Sequence, residues 1–153
     1  MKHYKDESNN LYAYESDGSQ DAFIKDGLVP ISDEDLAAMI APTTEQLLSQ
    51  LTAARKEQER QGVVINGIRY AGDPGNRQAL QEAIAFMEDA GLTEFESWKD
   101  SDNIFHADHP LLDVVDAYHA IGARRAELIA TEGEYAAQIT GGTFTDLSLV
   151  SWP

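Results

Sequence analysis

The run GVVINGIRYAGDPGNRQALQEAI, residues 62–84, switches from a two-residue period to a helical one across a single short loop. Val63-Val64-Ile65 and Ile68-Arg69-Tyr70 are β-prone triplets on either side of Asn66-Gly67. An Asn-Gly pair favours a two-residue type I′ turn, because both central positions need φ > 0 and these residues adopt it with the least strain. The triplets therefore predict a β-hairpin. Asp73 then stands where a helix N-cap belongs, and Pro74 fits the first turn, where the amide it lacks would have no intrahelical partner. Leu80, Ala83, Ile84 and Met87 follow at helical spacing, and Gly91 supplies the stop. The unit carries no nucleophile and no phosphate loop, so Asn66, Gly67 and Asp73 read as structural residues.

Downstream, EFESWKDSDNIFHAD predicts a second hairpin, Glu94 to Lys99 and Asn103 to His106, around Asp100-Ser101-Asp102. Phe95 and Trp98 cannot face one side of an ideal strand, which predicts a bulge there, with Trp98 as a packing residue. A long helix is expected from about Asp108, its cap, to Ile139. Pro110 lies in its first turn, and Leu111, Val114, Val115, Tyr118, Ile121, Leu128, Ile129 and Tyr135 keep helical spacing. Thr140-Gly141-Gly142 ends it. The remaining TFTDLSLVSWP is β-prone and partly apolar and needs a partner, either a hairpin of this chain or the sheet edge of another protein.

Upstream, Thr43 or Thr44 opens a helix that runs to Gln61, with an apolar stripe of Leu47, Leu48, Leu51 and Ala54. Its second half, RKEQERQ, is charged all round and is expected to project from the core. Before it, Lys2–Lys5 and Leu11–Glu15 flank the turn formers Glu7-Ser8-Asn9-Asn10, a predicted hairpin bearing Tyr4, Tyr12 and Tyr14. Ser32 caps a short helix that Pro42 terminates. The expected fold is α+β: an N-terminal hairpin module (residues 1–42), a helical junction (43–62), a domain of two hairpins packed on two helices, the last one long (63–140), and a C-terminal extension (141–153).

The chain has no cysteine, which excludes disulfides and thiolate metal sites. No apolar stretch reaches membrane-span length and the opening MKHYKDESNN lacks the core of a signal peptide, which implies a soluble, unexported chain. Its net charge of -16 repels phosphate backbones, so no nucleic acid and no anionic membrane is expected as a partner. The charge is uneven. Residues 1–42 hold three basic and nine acidic side chains, residues 43–62 three of each, and residues 63–153 five and fifteen. Such acidity suits a solvated surface; the sharper alternative is a DNA-mimicking inhibitor.

Chemistry is sparse. His106 and His109, near Asp102, Asp108, Asp113, Asp116 and His119, could hold a cation, but helix capping and dipole compensation account for the acids more simply. No nucleotide loop, nucleophile elbow or zinc-protease motif is present, so no catalytic residue, metal or cofactor is expected. The tyrosines can form a small core or a contact face, since tyrosine is enriched at interfaces.

Two stretches carry a resemblance. HYKDESNNLYAYESDGSQDAFIKDGLVPISDEDL resembles the N-terminal segment of tailed-phage tail fibre assembly proteins. Residues from about Thr44 to Ile139, with GVVINGIRYAGDPGNRQALQEAI and FESWKDSDN, resemble an uncharacterised domain near the C-terminal end of phage tail and tail-fibre-assembly proteins. The resemblance implies a non-enzymatic chaperone in the host bacterial cytoplasm, which binds the distal part of a tail fibre and aids its folding and trimerisation. A structural component retained in the virion tail is the alternative, and homo-oligomerisation is open. Tyr4, Tyr12, Tyr14, Leu147, Leu149 and Trp152 are the candidate partner-binding residues.

Overall fold

A computed structural model describes residues 1–153. The chain separates into two units, Met1–Thr43 and Thr44–Pro153. In the first, β1 (Lys2–Lys5), β2 (Leu11–Tyr14) and β3 (Val29–Ile31) form an antiparallel sheet in the order β2-β1-β3. Asp6 shapes the β1–β2 turn: its Oδ1 accepts the amides of Ser8 and Asn10, both at 2.9 Å, and Asn9 takes φ +61°. β3 is a strand that its three residues do not announce. Pro30 sits at its centre, which an edge strand tolerates because a missing donor there breaks no inner ladder. Helix α1 (Asp33–Ile40) starts at Ser32, whose hydroxyl accepts the Asp35 amide at 3.0 Å. No residue of this unit is buried.

The second unit runs α2 (Thr44–Gln61), β4 (Val63–Ile65), β5 (Ile68–Tyr70), α3 (Pro74–Asp89), β6 (Glu94–Lys99), β7 (Phe105–Pro110) and α4 (Leu111–Thr140). The fold is α+β, with antiparallel strand pairs and a long last helix. Asn66 and Gly67 adopt φ +50° and +82°, and β4 pairs with β5 in the register Val63↔Tyr70, Val64↔Arg69, Ile65↔Ile68. Asp73 caps α3 by accepting the Asn76 amide at 3.0 Å. The two hairpins are tied by Arg69, whose guanidinium reaches Asp102 Oδ1 at 2.6 Å and the Ser101 carbonyl at 2.9 Å.

Helix α4 is the hub, in contact with α2, α3, β4 and β7. Its first half closes a core of Tyr70, Leu80, Val114, Ala117 and Ile121, against which Val63, Ile65, Ile68, Phe95 and Trp98 pack. Its far end closes a second core, Leu47 and Leu51 of α2 against Ile139. Contacts from Thr52 and Arg55 to Glu132, and from Gln58 to Arg124, set α2 antiparallel to α4.

Four expectations need correction. Asp108 does not cap α4: it lies in β7 with φ +50°, and Pro110 is the N-cap residue, because β7 pairs on as far as Glu94↔Pro110. The predicted bulge is a symmetric defect instead. The β6–β7 register is constant from Glu94 to Lys99, but Glu96 and Asp108 are left out of the pairing. Each strand changes phase there, so Phe95 and Trp98 turn inward together, ring centroids 4.9 Å apart, as do His106 and His109. The RKEQERQ half of α2 does not project, since Glu59 is buried and Arg55 nearly so. The C-terminal extension forms no strand: Phe144, Leu147, Val150 and Trp152 fold around a 3-10 turn, Leu147–Leu149, onto the second core.

Close backbone contact at the end of α2 makes Gly62 indispensable. A Cβ there would lie 1.8 Å from the Tyr70 carbonyl oxygen, at φ +71°. Gly62→Ala should therefore destabilise the unit more than Asn66→Ala, which forces a less suitable residue to φ > 0 and removes one exposed side-chain hydrogen bond, together about 1–2 kcal/mol. Chemical denaturation measures both, and equal losses would refute the contact. Truncation after Gly142 uncovers Leu47, Leu51 and Ile139, and stability should fall by on the order of 3 kcal/mol in a dilute monomer. An unchanged unfolding midpoint would show that the extension does not hold the helix pair.

Candidate functional site

Tyr4 and Tyr12 are register partners, and Tyr14 lies two residues from Tyr12, so strand alternation puts all three on one face of the N-terminal sheet. Tyr4 and Tyr14 meet edge to face at 5.7 Å. The Tyr12 hydroxyl donates to Asp6 Oδ2 at 3.1 Å, and Lys25 Nζ stands 5.1 Å from its ring centroid. That hydrogen bond, acting first, raises the Tyr12 pKa. The rings are half-buried, so they build the sheet's apolar face and still offer an edge to solvent.

Of the C-terminal candidates, Leu147 and Trp152 pack on the second core, whereas Leu149 is 67% exposed. Leu147 and Trp152 share that core, and only Leu149 of the three is open to solvent. Trp98 is half-buried between Tyr70 and His109, stacked on the imidazole at 5.6 Å.

Of the side chains that could hold a cation, His106 and His109 turn inward together, ring centroids 6.0 Å apart, but they engage different partners. Asp100 holds the β6–β7 turn: its Oδ1 accepts the Asp102 and Ile104 amides at 2.8 Å, and its Oδ2 pairs with His106 Nε2 at 2.8 Å. These bonds, the His106 contact foremost, hold its carboxyl below the ordinary range. Asp113 accepts from Asn66 at 3.1 Å, fastening the type I′ turn to the start of α4. His109, 3% exposed, meets the Tyr70 hydroxyl at 2.6 Å. Burial pushes Tyr70 up to about 12, so the phenol keeps its proton, and which of the two groups donates is set by the imidazole tautomer.

Sequence reasoning missed the most densely charged locus. Glu59, 8% exposed, is surrounded by arginines from three helices: Arg55 on α2, Arg77 on α3 with Nη1 3.6 Å from Oε2, and Arg125 on α4 with Nε 3.3 Å from Oε1. Arg55 also lies 2.5 Å from Glu132 Oε2, an ion pair whose angle is not that of a hydrogen bond. Thr52 donates to the other Glu132 oxygen at 2.6 Å. Arg77 anchors the β5–α3 loop by donating to the Gly72 carbonyl at 2.6 Å. The i,i+4 spacing of Arg55 and Glu59 was the available signal, and it reads equally well as a solvated surface pair.

The Tyr70–His109 pair gives a pH dependence with a definite sign. Burial, the largest cause, lowers the His109 pKa below its ordinary 6.5, partly opposed by Asp113 and assisted by His106. A depressed folded pKa means that the unfolded chain takes up a proton first. The stabilisation is complete above about pH 6.5 and is lost as pH falls through the folded-state value. The urea midpoint of the native protein should drop from pH 7.5 to about 5. His109→Gln, which keeps an acceptor for Tyr70, should flatten that slope; parallel curves for the two proteins would exclude His109 as its source.

No curated protein and no solved structure matches the chain. A family described as a domain of unknown function (DUF4376) matches residues 42–149, from the approach to α2 into the docked extension, and the chain belongs to that family.

Proposed function

We propose that this protein is a tail fibre assembly chaperone of a tailed phage, which holds the distal part of a fibre subunit while it folds and trimerises. The observation that carries the reading is the unfinished state of the N-terminal unit. Residues 1–43 make a three-stranded sheet with no buried residue and no disulfide, although units of this size ordinarily need a staple or a partner. Both outer strands, β2 and β3, have an unpaired edge within their sheet. An open edge is a template for adding a strand, the pairing by which this unit would cover an exposed strand of an unfinished fibre subunit. The tyrosine face beside that edge supplies amphipathic contact area. The resemblance of residues 3–36 to fibre assembly proteins supports the same reading.

Co-expression tests it. The fibre subunit of the same phage should be recovered as a soluble trimer with this protein and as aggregate or monomer without it. Deleting residues 1–43 should remove the effect. A fibre that trimerises equally well alone would end the chaperone reading. Mass spectrometry of purified particles should find this chain absent; stoichiometric peptides would make it a structural tail component instead.

A further inference from the structure

Six of the eight basic residues in Thr44–Pro153 gather around Glu59: Arg55, Lys56 and Arg60 on α2, Arg77 on α3, and Arg124 and Arg125 on α4. In a chain of net charge -16 this is a local reversal of sign. Arg55, Lys56, Arg60, Arg77 and Arg125, with Glu59 and Asp73, line a recess of about 360 Å³. It shares Pro74, Arg77 and Arg125 with an open groove of about 810 Å³ between α3 and α4. Gln78, Gln81 and Glu82 form one wall of that groove, Tyr118 and His119 the other, and Gly122 part of its floor.

The cations are not consumed by the carboxylates among them. Lys56 is exposed and forms no ion pair. Arg125 is 44% exposed at its side chain; its Nε lies 3.3 Å from Glu59 Oε1, and its guanidinium is left open to solvent on the recess. Arg77 lies too far from Glu59 for a hydrogen bond and uses Nη1 on a backbone carbonyl. Asp73 is committed to the Asn76 amide and Glu82 to the Gln78 side chain.

The geometry points to a docking site for an acidic peptide segment of a partner protein, with a carboxylate seated on Arg125, Arg77 and Lys56 and the backbone laid along the α3–α4 groove. Guanidinium forks match a planar carboxylate, and side-chain amides such as those of Gln78 and Gln81 can serve both peptide donors and acceptors. A phosphate fits less well. The first-turn amide it would seek on α3 is already held by Asp73, and a divalent ion placed beside Glu59 and Asp73 meets more repulsion than a monovalent one. The site lies beyond the fibre-chaperone reading and does not depend on it.

Gly122 offers a clean perturbation. A Cβ at that position meets nothing within 4 Å, so Gly122→Leu fills the groove floor while strengthening the helix. Fluorescence anisotropy of a labelled octapeptide of aspartate, glutamate and glycine against the full chain should show saturable binding that weakens with salt. Gly122→Leu, and Lys56→Gln combined with Arg125→Gln, should each weaken it by about tenfold or more. Lys99→Gln, which removes one positive charge on β6 outside the cluster, should leave it within about twofold. Peptides with free and amidated C-termini separate a chain-terminal carboxylate from side-chain ones. The proposal is overturned if no saturable binding occurs, if Lys99→Gln weakens binding as much as the groove variants, or if Gly122→Leu folds normally and binds undiminished. Displacement of the peptide by inorganic phosphate at concentrations where acetate has no effect would assign the site to phosphate and overturn it too.

Discussion

The second unit depends on how a carboxylate can be kept out of water near the C-terminal end of a helix, where every neighbouring residue of the last turn is polar. Removing a carboxylate from water is prohibitive unless opposite charge and hydrogen bonds replace the lost hydration. Glu59 meets that demand with guanidinium groups from α2, α3 and α4, so the three helices can neutralise it only in one mutual arrangement. The backbone repeats the constraint. The Glu59 carbonyl oxygen would lie 2.2 Å from a Cβ at Gly72, and Gly62 passes the Tyr70 carbonyl more closely still. Charge and close approach thus fix the end of α2 against the loop that leads into α3, between the two apolar cores that α4 closes.

What was legible in the sequence was local. Asn66-Gly67, Asp73 with Pro74, Ser32, and the stripe through Leu80 and Met87 each contain their own cause, since turn, cap and stripe need only nearby residues. What was not legible depends on partners far along the chain. RKEQERQ has no apolar face, and its burial follows from Arg77 and Arg125, which no window around residue 59 contains. Asp108 and Pro110 have the spacing of a helix start, but pairing with Glu94 keeps them in β7. The β-prone TFTDLSLVSWP coils because Leu47, Leu51 and Ile139 present an apolar socket rather than a free strand edge. The candidate surfaces divide likewise: the tyrosines share a face through simple alternation, while the basic cluster exists only once three helices are assembled.

The two units stand on different physics. Thr44–Pro153 has buried leucines, valine and isoleucines in two cores, the ordinary source of cooperative stability. Met1–Thr43 relies on ladder hydrogen bonds, Asp6 and Ser32 as local organisers, and half-covered tyrosines. Segments of that kind open at low free energy, and they gain most from any surface that covers them. A partner strand on β2 or β3 would complete hydrogen bonds and bury side chains in the same step, so the unit's marginal core becomes a source of binding energy.

The charge distribution adds a filter on what can approach. An acidic surface repels polyanions at distances up to the Debye length, about 8 Å at physiological ionic strength. A cationic recess on such a surface acts only at short range, because the surrounding carboxylates cancel its field beyond that. A long, uniformly charged polymer feels the whole molecule and is turned away, whereas a short acidic segment between neutral residues feels chiefly the recess once it is seated. Arginine sharpens the selection, since its planar fork rewards a correctly oriented carboxylate more than a diffuse negative charge. Net charge and the proposed groove therefore work in the same direction: the first disfavours polyanions, and the second would favour acids that arrive singly and in the right orientation.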